Sequence, residues 1–429
     1  MSAVAPAEHP PGAGGSAERP TPDAPWTARW PAALATFGAI CAVMWVVQWV
    51  SFTYWGVKST GGPLPGFTGS SLLDGLVRFD GGWYVGIARR GYSYTPGAQS
   101  NVAFFPAYPL GIRAVAVVVR DHALAGILLT TAAGAGATVA LWAWLGRMGL
   151  DLRQRWTALL AQLLYPYGIF LYGVVYGDAL FLLVTVGAFL LAERGRWWWA
   201  GVLAIVATAG RPTGFVVALG LLVLALERGG TLRPPAGDGL LARFKVPVRI
   251  RLDQLRAWQV VPAGIALLGV AAYSIYLWSR WGDPKLFSTV QEAWGQPSGP
   301  RTWFKHYYFH YLTNSDYGLM LRRPQTGLIL GTRTAQGLIL LAVLVSSPFV
   351  GRRFGWGYAT FVGLTAAVPF VFTADFQGGG RYMLSVFPVF ALLGSRLAAR
   401  PGLARGWLAV SALAAVAIMA FYSHGVYLT

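Results

Sequence analysis

Residues 78–92 read R-F-D-G-G-W-Y-V-G-I-A-R-R-G-Y, and residues 101–110 read N-V-A-F-F-P-A-Y-P-L after a short polar span. This stretch combines an acid, several basic residues and a dense set of aromatic residues, directly after the first long apolar segment. Most of the remaining chain consists of apolar segments near the length that crosses a bilayer. The pattern predicts a polar loop on a membrane-embedded helical body, with an active site at the bilayer surface.

The composition is that of a membrane protein. The chain has 429 residues, of which 55% are hydrophobic and only 12% are charged, whereas a soluble domain carries roughly a quarter charged residues. Repeated apolar runs predict an all-α polytopic protein, because each spanning helix satisfies its own backbone polar groups. The net charge of +18 comes from basic residues clustered in short loops, as the positive-inside rule expects, and does not indicate nucleic-acid binding. Cys41 is the single cysteine, so no intramolecular disulfide can form.

The arginine-rich segments predict the topology. We expect a disordered cytoplasmic N-terminus at 1–28 and one transmembrane domain over 29–429, with the basic segment 228–257 in the cytoplasm. A lipid-headgroup contact is the alternative interpretation of that basic segment. The first external loop then covers 52–122, and a second covers 282–325. About eleven spans are predicted, near 31–50, 123–146, 156–175, 178–192, 197–210, 213–227, 258–280, 326–347, 356–373, 382–398 and 407–424.

Two predictions concern the segments beside Asp80. The short apolar segment 104–119, broken by two prolines, is interpreted as juxtamembrane rather than spanning. An amphipathic helix is predicted over 83–90. Asp80 precedes this helix, so it is either a helix N-cap or a general base at the membrane surface. Asp178 opens an apolar segment and is either a helix N-cap or an acid at a span end that positions another group.

Two arginines are predicted to lie on the same external face. Arg211 stands in G-R-P-T-G between two apolar segments, and Arg381 follows three glycines and precedes Tyr382. Arginine binds phosphate through two parallel hydrogen bonds and keeps its charge, and nearby glycines let backbone N–H groups approach an anion. Phosphate binding is therefore one hypothesis for both residues. An arginine that extends from a span end toward water is the alternative.

The sequence does not favour metal or nucleotide chemistry. His306 and His310 are four residues apart, but no third ligand is near, and an interfacial aromatic belt is the simpler interpretation of their segment. The chain contains no P-loop, no G-x-G-x-x-G, no G-x-S-x-G and no D-x-D motif. No metal and no cofactor are predicted.

Taken together, these motifs resemble the PIG-V-type mannosyltransferases, the GPI mannosyltransferase 2 family. The stretch at 78–110 is similar to the family's first-loop signature. Further similar blocks follow in order: V-Y-G-D-A-L-F at 175–181, A-G-R-P-T-G at 209–214, W-G-D-P-K-L-F at 281–287 and R-Y-M-L-S-V-F-P at 381–388. The resemblance covers about 30–400. The chain departs from the family pattern where Phe79 replaces a usual tryptophan and Asp178 replaces a glutamate.

The resemblance implies the GT-C glycosyltransferase fold and a multi-pass protein of the plasma membrane whose active site faces outside. The implied reaction is inverting transfer of mannose from polyprenyl-phosphate mannose to a lipid-linked or cell-envelope glycan acceptor, with Asp80 as the general base. Such a transfer needs one base and no nucleophile, and the phosphate that leaves needs positive charge nearby. The predicted substrate-binding residues are Arg78, Trp83, Tyr84, Tyr108, Asp178, Arg211, Arg381 and Tyr382.

Two other functions stay open at the level of sequence. A transporter or flippase of a lipid-linked sugar would be expected to show repeated halves and a midplane site, and the chain shows no internal repeat. A GT-C transferase of another sugar would differ only in its donor and acceptor. The acceptor itself is not indicated by any motif.

Overall fold

The computed structural model describes residues 29–55, 70–314 and 324–428. The predicted disordered segment 1–28 lies outside these ranges, as do parts of the two predicted external loops. The α-helices are α1 Trp30–Tyr54, α2 Ser71–Asp74, α3 Asp80–Arg90, α4 Ala107–Val119, α5 His122–Arg147, α6 Leu152–Leu163, α7 Asp178–Glu193, α8 Trp197–Thr208, α9 Phe215–Gly229, α10 Leu240–Arg243, α11 Ala257–Ile265, α12 Leu268–Trp281, α13 Leu286–Thr289, α14 Pro300–Trp303, α15 His306–Asn314, α16 Pro324–Phe354, α17 Trp356–Phe372, α18 Gly379–Tyr382, α19 Phe387–Leu397 and α20 Pro401–His424.

Short 3₁₀ turns and one small hairpin complete the described part of the chain. The 3₁₀ turns are Asn101–Ala103, Pro166–Leu171, Pro212–Gly214, Leu252–Gln254, Val290–Trp294 and Met383–Ser385. Strands β1 Leu232–Arg233 and β2 Arg249–Ile250 pair antiparallel, with Leu232 opposite Ile250. The all-α prediction is confirmed.

Within the described residues, six stretches of helix are long and apolar enough to cross a membrane. They are Trp30–Tyr54, His122–Arg147, Pro212–Gly229, Ala257–Trp281, Gly327–Phe354 and Pro401–His424. Four shorter apolar helices accompany them: Ala107–Val119, Trp197–Thr208, Trp356–Phe372 and Phe387–Leu397. The count of eleven spans stays a prediction.

Three predicted spans are not continuous helices, and over 258–280 the interruption lies between α11 and α12. Over 156–175, α6 ends at Leu163 and a 3₁₀ turn begins at Pro166, because proline removes a backbone donor and clashes with the preceding turn. The irregular backbone that follows is satisfied from within the protein, since the Tyr172 hydroxyl donates to the Leu163 carbonyl at 2.6 Å. Over 382–398, two short turns precede α19, which has Pro388 in its first turn.

Helix α5 lies at the centre of the bundle. Half of its apolar window is buried inside the protein, against 28% for α1. Small residues allow this close packing, and a side chain at Gly134 would collide with the Leu171 carbonyl and the Phe37 ring. The apolar core around α5 extends from Ala33 to Tyr422, so nearly the whole described chain shares one core.

A second, smaller apolar cluster covers one end of this core. It joins the segment after α3 to α12 and to the loop at 286–294, through Val102, Phe105, Tyr273, Leu277, Leu286 and Val290. The Tyr273 hydroxyl donates to the Val102 carbonyl at 2.8 Å. This cluster holds the segments on either side of a large cavity, which contains the candidate site.

Candidate active site

Four charged side chains from distant parts of the chain meet in one cavity of about 920 Å³. Asp80 begins α3, Asp178 begins α7, Arg211 precedes the turn Pro212–Gly214, and Arg381 lies on the short helix α18. All four line the cavity. We refer to Asp80, Asp178, Arg211 and Arg381 as the charged quartet.

The quartet is held together by ion pairs. Arg381 Nη1 donates to Asp80 Oδ2 at 3.2 Å, and Arg381 Nε lies 4.0 Å from Asp178 Oδ2. Arg211 Nη2 donates to Asp178 Oδ1 at 2.8 Å. Asp178 therefore stands between the two guanidinium groups, while Asp80 contacts only Arg381 within the quartet. The two positive and two negative charges balance.

Neither acid is a helix N-cap. Asp80 and Asp178 are the first helical residues of α3 and α7, and the N-cap positions are occupied by Phe79 and Gly177. Neither cap position makes a side-chain capping bond. The N-cap alternative is thus wrong for both acids, although a carboxylate in the first turn still interacts favourably with the helix dipole.

The two acids differ in their access to the cavity. The side chain of Asp80 is 24% exposed, whereas that of Asp178 is 6% exposed. Burial raises the pKa of the Asp80 carboxyl above its ordinary value, the Arg381 charge opposes this shift, and the nearby Asp178 charge adds to it. Asp80 is therefore the acid that a ligand in the cavity can reach.

Aromatic rings enclose the two arginines. The Arg381 guanidinium lies 4.8 Å from the Tyr176 ring centroid and 5.4 Å from that of Tyr382. The Arg211 guanidinium lies 4.1 Å from the Phe181 centroid and 5.8 Å from that of Tyr382. Tyr382 thus stands between the two cations, and such contacts hold a planar guanidinium in place while leaving its edges free for hydrogen bonds.

The glycines before Arg381 serve close packing. A side chain at Gly380 would collide with the Tyr167 ring. The Gly380 amide donates to Gln336 Oε1 at 3.1 Å, and its carbonyl accepts from the Tyr165 hydroxyl at 2.9 Å. The backbone beside Arg381 is therefore fixed by side chains from α16 and from the segment after α6.

Aromatic residues form the wall of the cavity beside Asp80. Trp83 stacks on Phe104 with centroids 6.0 Å apart and planes 16° apart, and Trp294 meets the Trp83 ring edge-on at 5.2 Å. Tyr84 also lines the cavity. Flat apolar faces of this kind suit the carbon face of a sugar ring, and the surrounding polar atoms suit its hydroxyls.

Two predicted substrate-binding residues do not line the cavity. Tyr108 is 1% exposed and bonds the Thr130 hydroxyl at 2.6 Å, so it supports Tyr84, whose ring it meets at 5.0 Å. Arg78 is 4% exposed, and within the described part of the chain its Nη1 has no hydrogen-bond partner. The other predicted residues, Trp83, Tyr84, Asp178, Arg211, Arg381 and Tyr382, line the cavity together with Asp80.

Several residues of the cavity wall were not predicted from the sequence. Trp294, Gln377 and Tyr427 all line it. Gln377 lies four residues before Arg381 in the sequence, but Trp294 and Tyr427 had no motif around them. Asp283, within the block W-G-D-P-K-L-F, makes local hydrogen bonds, since it accepts from the Lys285 amide at 2.7 Å and the Thr289 hydroxyl at 3.1 Å.

Comparison with known proteins gives relatives of one kind. The chain is 34% identical over 266 residues to "GPI alpha-1,6-mannosyltransferase 2" of Cricetulus griseus, which covers 52% of this chain and 51% of the relative. The Rattus norvegicus protein of the same name is 34% identical over 172 residues, covering 37% and 33%. The Homo sapiens protein is 34% identical over 163 residues, covering 35% and 32%. The chain thus spans between about a third and a half of these relatives' lengths.

No protein-family model matches the chain. Among solved structures, it is similar to the archaeal oligosaccharyltransferase AglB from Archaeoglobus fulgidus, in complex with an inhibitory peptide and a dolichol-phosphate. That similarity has a TM-score of 0.43 at 14% identity, over 91% of this chain and 55% of the other. By its sequence, the chain is similar to the GPI alpha-1,6-mannosyltransferase 2 proteins over a third to a half of their length.

Proposed function

We propose that the chain is an inverting mannosyltransferase of the GT-C type, which moves mannose from polyprenyl-phosphate mannose to a hydroxyl of a lipid-linked or cell-envelope glycan. The observation that carries the proposal is the meeting of Asp80, Asp178, Arg211 and Arg381 in one aromatic-lined cavity. The similarity to mannosyltransferases supports the sugar. We place the site at the outer face of the plasma membrane, where nucleotide sugars are not supplied.

Asp80 is the general base of this proposal. It is the more exposed of the two acids, and burial raises its pKa, which brings a carboxylate closer to the proton affinity that base catalysis at neutral pH needs. An inverting displacement forms the bond from acceptor oxygen to the anomeric carbon as the bond to phosphate oxygen breaks. The acceptor proton passes to Asp80, and the polyprenyl phosphate leaves as an anion.

The arginines hold that phosphate. A guanidinium has five N–H donors, whereas the ion pairs of the quartet engage only part of each guanidinium, and Arg381 Nε has no hydrogen-bond partner within the described residues. The unused donors can stabilise the negative charge that develops on the leaving group. The 3.2 Å contact between Arg381 and Asp80 leaves no space for a sugar between them, so substrate binding must separate these two groups.

The direct test uses the purified chain in lipid nanodiscs, polyprenyl-phosphate mannose with a labelled sugar, and lipid acceptors extracted from the source membranes. We expect label in a new glycolipid product, with no product when GDP-mannose replaces the lipid donor. Release or movement of the labelled donor across a vesicle bilayer, without a new glycosidic bond, would instead indicate a transporter. Label transferred from another polyprenyl-phosphate sugar, but not from the mannose donor, would correct the sugar.

A further inference from the structure

The backbone immediately before Asp80 adopts a conformation that its residue type disfavours. Phe79 has φ 49° and ψ −120°, the values of the first central residue of a type II′ turn, where glycine is preferred. The turn is closed by the Gly81 amide, which donates to the Arg78 carbonyl at 2.9 Å. A bulky residue keeps such a conformation only when its surroundings hold it there, and these sites are frequently functional.

Two tyrosines near the end of the described chain hold Phe79. The Tyr422 ring, on α20, lies 5.3 Å from the Phe79 ring, and the Tyr427 ring lies 4.8 Å from it. The Tyr422 hydroxyl also donates to the Arg78 carbonyl at 3.1 Å. Thus α20 and the segment after it contact both the side chain at the strained position and the peptide group before it.

The same segment is tied to the other half of the Asp80–Arg381 pair. Helix α20 ends at Gly425, a left-handed C-cap residue with φ 99°. Leu428, three residues later, is buried and only 4% exposed. The Leu428 carbonyl accepts from Gln336 Nε2 at 3.2 Å. The Oε1 atom of the same side-chain amide accepts from the Gly380 amide at 3.1 Å. Through Gln336, the segment is joined to the residue immediately before Arg381.

We infer that residues 422–428 form a clamp that sets the position of Asp80 relative to Arg381, with Tyr427 as its main positioning residue. Tyr427 lines the cavity beside both charged groups, but in this proposal it acts through Phe79 and not on the substrate. The inference rests on the proposed function for its meaning in catalysis. The geometry of the clamp can be tested without any activity.

Hydrogen–deuterium exchange gives that independent test. Tyr427→Ala removes the half-buried ring of the clamp, so the turn should open more often and amide exchange across 79–82 should rise about tenfold. The amides of α5 should exchange at the wild-type rate. Tyr54→Ala is the matched control, because it removes a tyrosine ring that is 71% exposed at the end of α1. Unchanged exchange across 79–82 in Tyr427→Ala would overturn the clamp.

Further variants separate the effect of losing the Tyr427 ring from the effect of the backbone strain at Phe79. Glycine adopts positive φ without steric cost, so Phe79→Gly combined with Tyr427→Ala should recover exchange protection relative to Tyr427→Ala alone. Tyr427→Phe keeps the ring and should lose less protection than Tyr427→Ala. A double variant as unprotected as the single variant would contradict the proposed strain.

The kinetic consequence is a fall in kcat for Tyr427→Ala on the order of tenfold to a hundredfold, since small displacements of a catalytic group cost this much. Donor KM should change less than kcat, because the ring contacts Phe79 and not the donor. A raised KM at unchanged kcat would reassign Tyr427 to substrate binding and overturn the clamp's catalytic role. Increased exchange in a protein whose wild type transfers no mannose would refute the proposed function while leaving the clamp intact.

Discussion

At the scale of single residues, the chemistry of the site depends on the protonation of Asp80. Burial raises the pKa of this carboxyl from its ordinary value of 3.8, and Arg381 limits the rise. A base must be deprotonated to work, so activity should be lost as pH falls through the raised pKa. The donor phosphodiester adds a negative charge to a quartet whose charges balance, which raises the pKa of Asp80 further when donor is bound.

The first prediction is therefore a pair of pH profiles. The acidic limb of kcat/KM should lie above the ordinary carboxyl pKa of 3.8, because this parameter reports the free enzyme and burial raises the pKa of Asp80. The acidic limb of kcat should lie at still higher pH, because kcat reports the complex with donor bound. Initial rates of mannosyl transfer between pH 4 and 8 measure both limbs, with tryptophan fluorescence as the control for unfolding. A kcat limb at lower pH than the kcat/KM limb would contradict the placement of the donor phosphate beside Asp80.

The second prediction concerns Arg381. Arg381→Lys keeps the charge but loses the planar set of donors that can bind a phosphate through two parallel hydrogen bonds. Loss of a hydrogen bond to a charged group costs about 1.5–3 kcal/mol, so donor KM should rise on the order of tenfold to a hundredfold. Arg251→Lys is the matched control, since Arg251 pairs with Asp253 at an exposed position outside the cavity. Unchanged donor KM in Arg381→Lys would remove Arg381 from the phosphate site.

At the scale of elements, the Asp178–Arg211 pair joins the start of α7 to the turn before α9. Asp178 is 6% exposed, so Arg211→Met leaves a buried carboxylate without its strongest partner. We expect a loss of about 3–5 kcal/mol in the free energy of unfolding. Thermal unfolding in nanodiscs should detect it as a lowered Tm.

The double variant Arg211→Met with Asp178→Leu separates stability from function. Removing both charges should recover most of the lost Tm, because replacing a buried ion pair by apolar groups is often nearly neutral. Mannosyl transfer should stay low, because the site then lacks Arg211, one of the two arginines proposed to bind the phosphate. Recovery of both Tm and transfer would make this pair a structural contact only.

The element scale also shows which parts of the fold the sequence could and could not predict. The span predicted at 123–146 matches α5 within one residue at each end, whereas α1, α16 and α20 extend four to seven residues beyond their predicted spans at one end. The segment 164–175 was predicted as part of a span because it is apolar, yet tertiary hydrogen bonds hold it in irregular turns. The Tyr165 and Tyr172 hydroxyls satisfy distant carbonyls there, and the Trp45 indole donates to the Tyr172 carbonyl at 2.7 Å. No local sequence pattern predicts hydrogen-bond partners of this kind.

At the scale of the whole molecule, topology stays a prediction, and it can be measured. Single cysteines at Ser70 and Asp238, in a Cys41→Ala background, should react with an impermeant thiol reagent from opposite sides of the membrane. The reason is that 228–257 carries seven arginines and lysines, more than any other predicted loop. Labelling of both cysteines in intact cells would overturn the predicted orientation.

The sequence could predict that the charged quartet belongs to one site, but not which of its residues form ion pairs. The topology predicted from the arginine-rich segments puts Asp80, Asp178, Arg211 and Arg381 on one face of the membrane. Arg381 contacts an acid 301 residues earlier in the chain, and Tyr427 packs on Phe79. Both contacts depend on how α16 and α20 fold over α3. Trp294 and Tyr427 belong to the cavity through tertiary packing alone.

The most direct test of the account is mannosyl transfer by Asp80→Asn. Asparagine keeps the shape of the side chain and can still accept a hydrogen bond from Arg381, but it cannot take a proton at working pH. Asp253→Asn is the control, since Asp253 is 55% exposed and lies outside the cavity. We predict that Asp80→Asn folds, binds donor and loses roughly 10²–10⁴-fold in kcat, while Asp253→Asn transfers mannose at the wild-type rate. A folded Asp80→Asn protein with near-normal kcat would contradict the assignment of Asp80 as the base.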